Sequence, residues 1–244
     1  MSLSKTIEEI INDEVLKSSD NWRFREPIIG YVSADNPEFQ KIQKTTGVWH
    51  YKPEELLEDA KTVVVFFLPY AKEIVNTMQR EKKIVPEYSR SYLVSNELLS
   101  KMSERLKEEL GTMGIHVATQ PPTDDYDHVN LASHWSHKTI AVMAGLGTFG
   151  LNHMLITKYG TAGRLNSIVI NEVIEPTAKL EESYCLYYKK GICKKCVERC
   201  PSGALTTERY DKKICSAYLD GKCLDLDEQG CPMCMSGPCA VRGF

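Results

Sequence analysis

The segment Cys193-Lys-Lys-Cys196-Val-Glu-Arg-Cys200-Pro201 holds three thiols at intervals of three and four residues and closes on a proline. Closely spaced thiolates let a tight loop wrap one four-iron cubane. The thiolate one helical turn further on, just before the proline, points away toward a second. Thiolate is also the soft ligand that cluster iron prefers. A second group follows at Cys231-x2-Cys234-x4-Cys239. Cys185 and Cys215 raise the total to eight, the number that two four-iron clusters require. Cys223 is then spare.

All nine cysteines lie between Cys185 and Cys239, and residues 1–178 contain none. Residues 179–244 carry 11 basic and 9 acidic side chains, a net +2, while the remainder, with 19 basic and 24 acidic, carries −5. The expected division is therefore an α/β body over residues 1–178 and a small cysteine-dense domain over 179–244, joined near 175–184. Disulfides need an oxidising compartment, and the charged start Met1-Ser-Leu-Ser-Lys-Thr-Ile-Glu-Glu is unlike a signal peptide. The expectation is a cytoplasmic protein with metal-bound thiolates. A zinc ribbon on Cys193, Cys196, Cys231 and Cys234 is the competing assignment. It would leave five cysteines idle and span an interval longer than usual. At 244 residues, 42% apolar and 26% charged, the chain can build a core. No apolar run approaches a membrane span, since the longest, Val63 to Leu68, has six residues.

Along the body, Thr6 with Glu9 gives a capping-box pattern ahead of Ile7, Ile10, Ile11 and Val15 at helical spacing. Residues 28–33 read as a short strand, and Pro53 opens a short helix. Thr62 to Leu68 reads as a buried strand stopped by Pro69. Leu98, Leu99, Met102, Leu106 and Leu110 form one face of a helix that ends at Gly111. A strand at Ile115 to Ala118 is broken by Pro121-Pro122, a helix runs from His134 to Met143, and strands follow at Met154 to Thr157 and Ser167 to Ile174. Alternating helices and strands imply an α/β or layered α+β body.

Gly145-Leu146-Gly147-Thr148-Phe149-Gly150 satisfies G-x-G-x-x-G. That pattern means a dinucleotide site only between a strand and a helix of a βαβ unit. The 34 residues from Gly150 to Cys185 are too few for the rest of such a half-domain. A turn and a cofactor loop that lets backbone approach a large ligand both remain open. By analogy with crossed two-cluster ferredoxins, Cys185, Cys193, Cys196 and Cys239 would hold one cluster. Cys200, Cys215, Cys231 and Cys234 would hold the other.

Ala144-Gly-Leu-Gly-Thr-Phe-Gly150, then Asn152-His-Met-Leu-Ile-Thr157, Gly163-Arg-Leu165 and the two-cluster tail together resemble epoxyqueuosine reductase and the cobalamin-dependent iron–sulfur reductases that include reductive dehalogenases. Ala60 to Tyr70 and Cys215-Ser-Ala-Tyr-Leu219 add to the likeness. The resemblance implies a nitroreductase-like layered α+β body with a ferredoxin-like two-cluster domain, and cobalamin between them. Residues 144–150, Asn152 and Arg164 would line the corrinoid, and a low-potential donor of ferredoxin or flavodoxin type would supply electrons. The chain departs from the family in three ways. Leu131 stands where the family's acidic proton donor is expected, Lys190 stands where its first cluster cysteine is expected, and nothing like a helical-repeat extension or a basic excess is present. The resemblance then implies a divergent reductase acting on a small molecule or a modified nucleoside, with nucleic acid not expected as a partner. Asp124, Asp125, Tyr126, Asp127, His134 and His137 crowd the segment before the glycine loop, and His134 and His137 are the candidate proton donors. The alternative is an electron-carrier or interaction protein that binds no cobalamin. The lysines at 189–190 and 194–195 either steer an acidic donor or form a solvated face.

Overall fold

Ile28–Ser33 (β1) and Thr62–Pro69 (β2) pair antiparallel, with Ile29 opposite Phe66 and Val32 opposite Val63. All eight residues of β2 are buried, as its run of β-branched and aromatic side chains requires of a strand covered on both faces. Val117–Thr119 (β3) and Gly163–Ile170 (β8) complete a four-stranded sheet in the order β1–β2–β8–β3, with β3 and β8 antiparallel. Tyr126–Asp127 (β4) pairs with Ala132–Ser133 (β5), and Gly147–Phe149 (β6) with Leu155–Thr157 (β7), as two small hairpins. This computed structural model describes residues 2–46, 49–122, 126–222 and 230–244.

The fold is mixed α/β in two compact units. The first comprises Met1–Leu68, Ser95–Leu146 and Arg164–Lys179. Its helices are Leu3–Lys17 (α1), Glu38–Thr46 (α2), Pro53–Leu56 (α3) and His137–Met143 (α6), with the part of the long helix Pro86–Thr112 (α5) that follows Val94. Helix α1 buries Ile7, Ile10, Ile11 and Val15, and α5 buries Leu99, Met102, Leu106 and Leu110 completely. The second unit comprises Pro69–Val94, Gly147–Gly163 and Leu180–Phe244. It thus adds two stretches of the expected body to the cysteine-bearing tail. It holds Lys72–Glu81 (α4), Leu186–Lys190 (α7), Lys195–Glu198 (α8) and Lys212–Lys222 (α9). Among the described residues no helix is long and apolar enough to cross a membrane.

Several local expectations shift. The N-cap of α1 is Ser2, whose hydroxyl accepts from the Lys5 amide. Thr6 lies inside the helix and donates back to the Ser2 carbonyl, so Thr6 and Glu9 form no capping box. Helix α5 begins twelve residues ahead of Leu98, because Ser91 and Ser95 are fully buried on it and disguise an apolar face as polar. The last sheet strand starts at Gly163 and ends at Ile170, not Ser167 to Ile174. Its first half is polar, and Asn166 is buried by donating to Ser103 Oγ at 2.9 Å.

Candidate metal centre

In the second unit, Cys185 is the N-cap of α7, and its amide accepts support from Ser183 Oγ by donating to it at 3.1 Å. Helix α7 stops at Gly191, which adopts φ +71°, a left-handed conformation that glycine enters without the Cβ penalty. The reversal lets Cys193 and Cys196 return toward Cys185. Cys239 arrives on a short 3-10 turn, Pro238–Ala240. These four cysteines line one cavity with Leu151, Asn152, Ile156 and Phe244, among others. The cavity has a volume of about 340 Å³ including its open mouth.

The electrostatics separate the thiols into two sets. Burial pushes the Cys239 thiol up to about 12, reinforced by Cys185, Cys196 and Cys193. Burial likewise pushes Cys196 up to about 11, partly offset by the Val197 amide and reinforced by Cys185 and Cys193. Cys234 is pushed up to about 12 by burial and then by Cys231, Cys215 and Cys200, with Cys196 the weakest contributor. Cys200 behaves oppositely. Burial raises it, but the Ser202 hydroxyl and the amides of Leu205, Ser202 and Ala204 together outweigh burial and lower it. Tyr210 stands against this second set, its hydroxyl hydrogen-bonded to Cys215 and its ring 5.3 Å from that of His153.

The eight described cysteines are free thiols, and Cys223 lies outside the described residues. Of the four cysteines that a zinc ribbon would use, Cys193 and Cys196 line the cavity, while Cys231 and Cys234 are not among its lining residues. Among the described residues no group of three or more His, Cys, Asp or Glu is placed to hold a single metal ion. The chemistry of the donor set, four thiols lining one cavity, is that of a soft metal centre. One buried polar atom among the described residues lacks a partner, Thr161 Oγ1. Its residue donates a backbone hydrogen bond to the Cys239 carbonyl at 2.9 Å. A hydroxyl without a partner beside the Cys239 loop is free to donate to an acceptor bound there.

Residues remote in sequence fasten the cysteine loops. Asn152 Nδ2 donates to the Cys234 carbonyl at 3.0 Å. Arg199 Nη1 donates to the Ser236 carbonyl at 2.7 Å and to its hydroxyl at 2.9 Å, and Nη2 donates to the Gln79 carbonyl at 3.3 Å. Gln79 of α4 in turn donates to the Gly237 carbonyl at 2.6 Å. Arg199 sits inside the cysteine motif and could have been suspected. Gln79 lies 158 residues away from its partner and carries no sequence signal.

The glycine loop is explained by its own chain. It follows helix α6 and opens a hairpin, so the strand–turn–helix context of a dinucleotide site is absent. Gly145 closes α6 at φ +70°, and a Cβ there would lie 2.3 Å from the Ala178 carbonyl oxygen. A Cβ on Gly147 would lie 2.2 Å from the Ile156 carbonyl oxygen, and one on Gly150 would lie 2.6 Å from Ile156 Cδ1. Leu146 is buried, Thr148 Oγ1 accepts from the Tyr184 amide at 2.8 Å, and Phe149 is half-buried in β6. Arg164 is held in the first unit by Asn96 Oδ1 at 3.0 Å and the Pro122 carbonyl at 3.3 Å.

The histidines differ in the same way. Trp135 Nε1 donates to Ser167 Oγ at 2.8 Å, leaving that hydroxyl to donate to His137 Nδ1 at 2.8 Å. His137 Nε2 then donates to the Pro121 carbonyl at 2.9 Å. Both ring nitrogens are engaged, and burial lowers this imidazole to about 4, against the bond to Pro121 that favours its charged form. His134 uses Nδ1 toward the Trp49 carbonyl at 2.8 Å, with its ring edge against Tyr51. Among the described residues its Nε2 has no partner. Asp124 and Asp125 lie outside the described residues. Asp127 accepts from the amides of Val129 and Asn130, and Leu131 takes φ +50° in the turn of that hairpin, an uncommon conformation for a leucine.

No protein-family model matches the chain. It is 28% identical over 171 residues to an epoxyqueuosine reductase of Leadbetterella byssophila, covering 68% of this chain and 50% of that one. The chain spans about half the length of the curated relatives it matches. An epoxyqueuosine reductase solved with an epoxyqueuosine-modified tRNA-Tyr stem loop aligns with a TM-score of 0.62 at 20% identity, over 100% of this chain and 68% of the other. A reductive dehalogenase described as performing B12-dependent dehalogenation aligns with a TM-score of 0.55 at 13% identity, over 78% and 27%. The chain is thus similar in sequence to epoxyqueuosine reductases, and its fold is shared with solved epoxyqueuosine reductases and reductive dehalogenases.

Proposed function

We propose that this chain is a reductase carrying two four-iron clusters, one on Cys185, Cys193, Cys196 and Cys239 and the other on Cys200, Cys215, Cys231 and Cys234. The observation that carries the proposal is the cavity lined by the first four cysteines, whose only sequence neighbours among themselves are Cys193 and Cys196. Ligation requires thiolates, and so releases protons. Burial and neighbouring thiols disfavour the thiolates of Cys196, Cys234 and Cys239 in the protein alone, and cationic iron would remove that cost. Cys200 is instead readied by four hydrogen-bonding groups that favour its ionised form. Asn152, Arg199 and Gln79 hold the 234–239 loop so that both sets keep their spacing. When bound, the clusters supply one-electron storage and transfer.

The ferredoxin-like character of the tail, the nitroreductase-like character of the body and the 178/179 boundary belong to the same proposal. Cobalamin as the electron acceptor rests on the kinship with epoxyqueuosine reductases and a B12-dependent dehalogenase. On this reading residues 144–150, Asn152 and Arg164 would line the corrinoid, with Asn152 and Arg164 held in place by polar contacts within the chain. His134, with Nδ1 fixed as a donor to Trp49, can give or take a proton at Nε2, and it is the proton donor we assign over His137. The substrate is a small molecule or a modified nucleoside. One relative's complex with a tRNA stem loop brings RNA back among the substrates to be tried.

Anaerobic purification tests the proposal. About eight iron and eight sulfide per chain are expected, and about four or a lone zinc overturns it. Cobalamin retained through desalting, with a changed visible spectrum, separates the reductase from an electron carrier. Turnover of an RNA stem loop would replace the small-molecule assignment.

A further inference from the structure

The turn that delivers Cys185 and Cys193 to the cavity also carries an outward face. Tyr188 in the middle of α7 is 55% exposed and Ile192, just past the helix, is 71% exposed. Around them stand Lys189, Lys190, Lys194 and Lys195, all exposed. Exposed apolar side chains ringed by like charge form the anatomy of an interface with a charged partner. Lys189 pairs with Glu182 and Lys195 with Glu198, while Lys190 enters no ion pair among the described residues and Lys194 faces only the more distant field of Glu208. The positive charge therefore concentrates at Lys190 and Lys194, on either side of Ile192.

This face is built on the segment that carries Cys185, Cys193 and Cys196. Lys195 lines the same cavity as Cys193 and Cys196, and the Lys189 amide donates to the Cys185 carbonyl at 2.8 Å. The Tyr188 hydroxyl is raised by burial and then by Cys185, with Cys196 also contributing, so its ring lies within the field of two proposed ligands.

We propose that the face made by Tyr188, Ile192, Lys190 and Lys194 docks a small acidic one-electron carrier protein, which delivers electrons to the cluster on Cys185, Cys193, Cys196 and Cys239. The docking inference rests on the cluster assignment above. One electron leaves the reduced carrier, which is oxidised by one, and enters the cluster, which is reduced by one, and no bond or proton is exchanged. The basic second unit and the acidic carrier supply complementary fields, which raise the encounter rate at low ionic strength.

The test uses the anaerobically purified full chain and an acidic two-iron ferredoxin. Affinity is measured by calorimetry with the oxidised carrier, and reduction by stopped flow with the reduced carrier and with dithionite. The double variant Lys190→Glu/Lys194→Glu is expected to lose roughly tenfold or more in affinity and in the carrier-driven rate at low salt. Ile192→Asp is expected to weaken affinity similarly. Dithionite reduction and iron content should stay unchanged, and the reversal Lys107→Glu on α5 should leave carrier affinity unchanged. Unchanged affinity in both patch variants, an equal loss in Lys107→Glu, or no binding by the parent protein overturns the docking face. A chain that lacks iron yet binds the ferredoxin through these lysines upholds the face and defeats the cluster assignment instead.

Discussion

Ser167 receives the Trp135 indole proton and passes its own to His137, which passes one on to the Pro121 carbonyl. Each group has one role consistent with its neighbours, so the neutral Nε2–H form of His137 is fixed. Ser167→Ala would leave the buried indole N–H without an acceptor. We expect a loss of about 1–3 kcal/mol, read by urea unfolding at neutral pH. The same residue sets an acid limit. Its folded value near 4 lies below the ordinary 6.5, so the unfolded chain binds the extra proton first. Stability from this group is full above about pH 6.5 and falls as pH drops toward 4, by at most about 3 kcal/mol and by less because the ring is only half-buried. His137→Gln should flatten that part of the stability–pH curve, and an unchanged slope would remove His137 as its source.

At the scale of elements, Gly147 decides whether the hairpin of β6 and β7 closes. Gly147→Ala would drive a Cβ against the Ile156 carbonyl, with a cost of about 1–3 kcal/mol in thermal or urea unfolding. Where a single property fixed an element, the sequence was legible. The strand of residues 62–69 is uniformly buried, and that of 28–33 has the expected bounds. Helix α1 buries the four residues whose spacing announced it. Legibility failed where polar side chains are buried with partners from elsewhere. Ser91 and Ser95 hid the first half of α5, and Asn166 hid the start of the last sheet strand. Helix α4 buries Ile74, Val75 and Met78 at helical spacing within a short, charge-rich segment, and α2 buries only Phe39 and Ile42 among its described side chains, so each signal is brief. In the site, cysteine spacing told which residues matter. It told nothing of Gln79 or Thr161, because backbone carbonyls accept from any donor that the fold brings near.

For the whole molecule, the proposed ligands spread over 55 residues would make metal binding and folding of the cysteine-bearing segment one event. Cys234→Ala should reduce iron from about eight to about four per chain and lower the melting temperature of the anaerobic protein. Full iron in this variant would show that Cys234 is not a ligand. Cys196→Ala should remove the other cluster, so each variant should retain a distinct spectrum.

The cavity that gathers Cys185 with Cys239 has a consequence for biosynthesis. On the proposed assignment its last sulfur, Cys239, would leave the ribosome well after its first, Cys185, so the first cube could not close until the Cys239 loop had emerged. Loading of that cube would wait for translation to pass the Cys239 loop, and until then its thiols would stand open to oxidants and to competing metals.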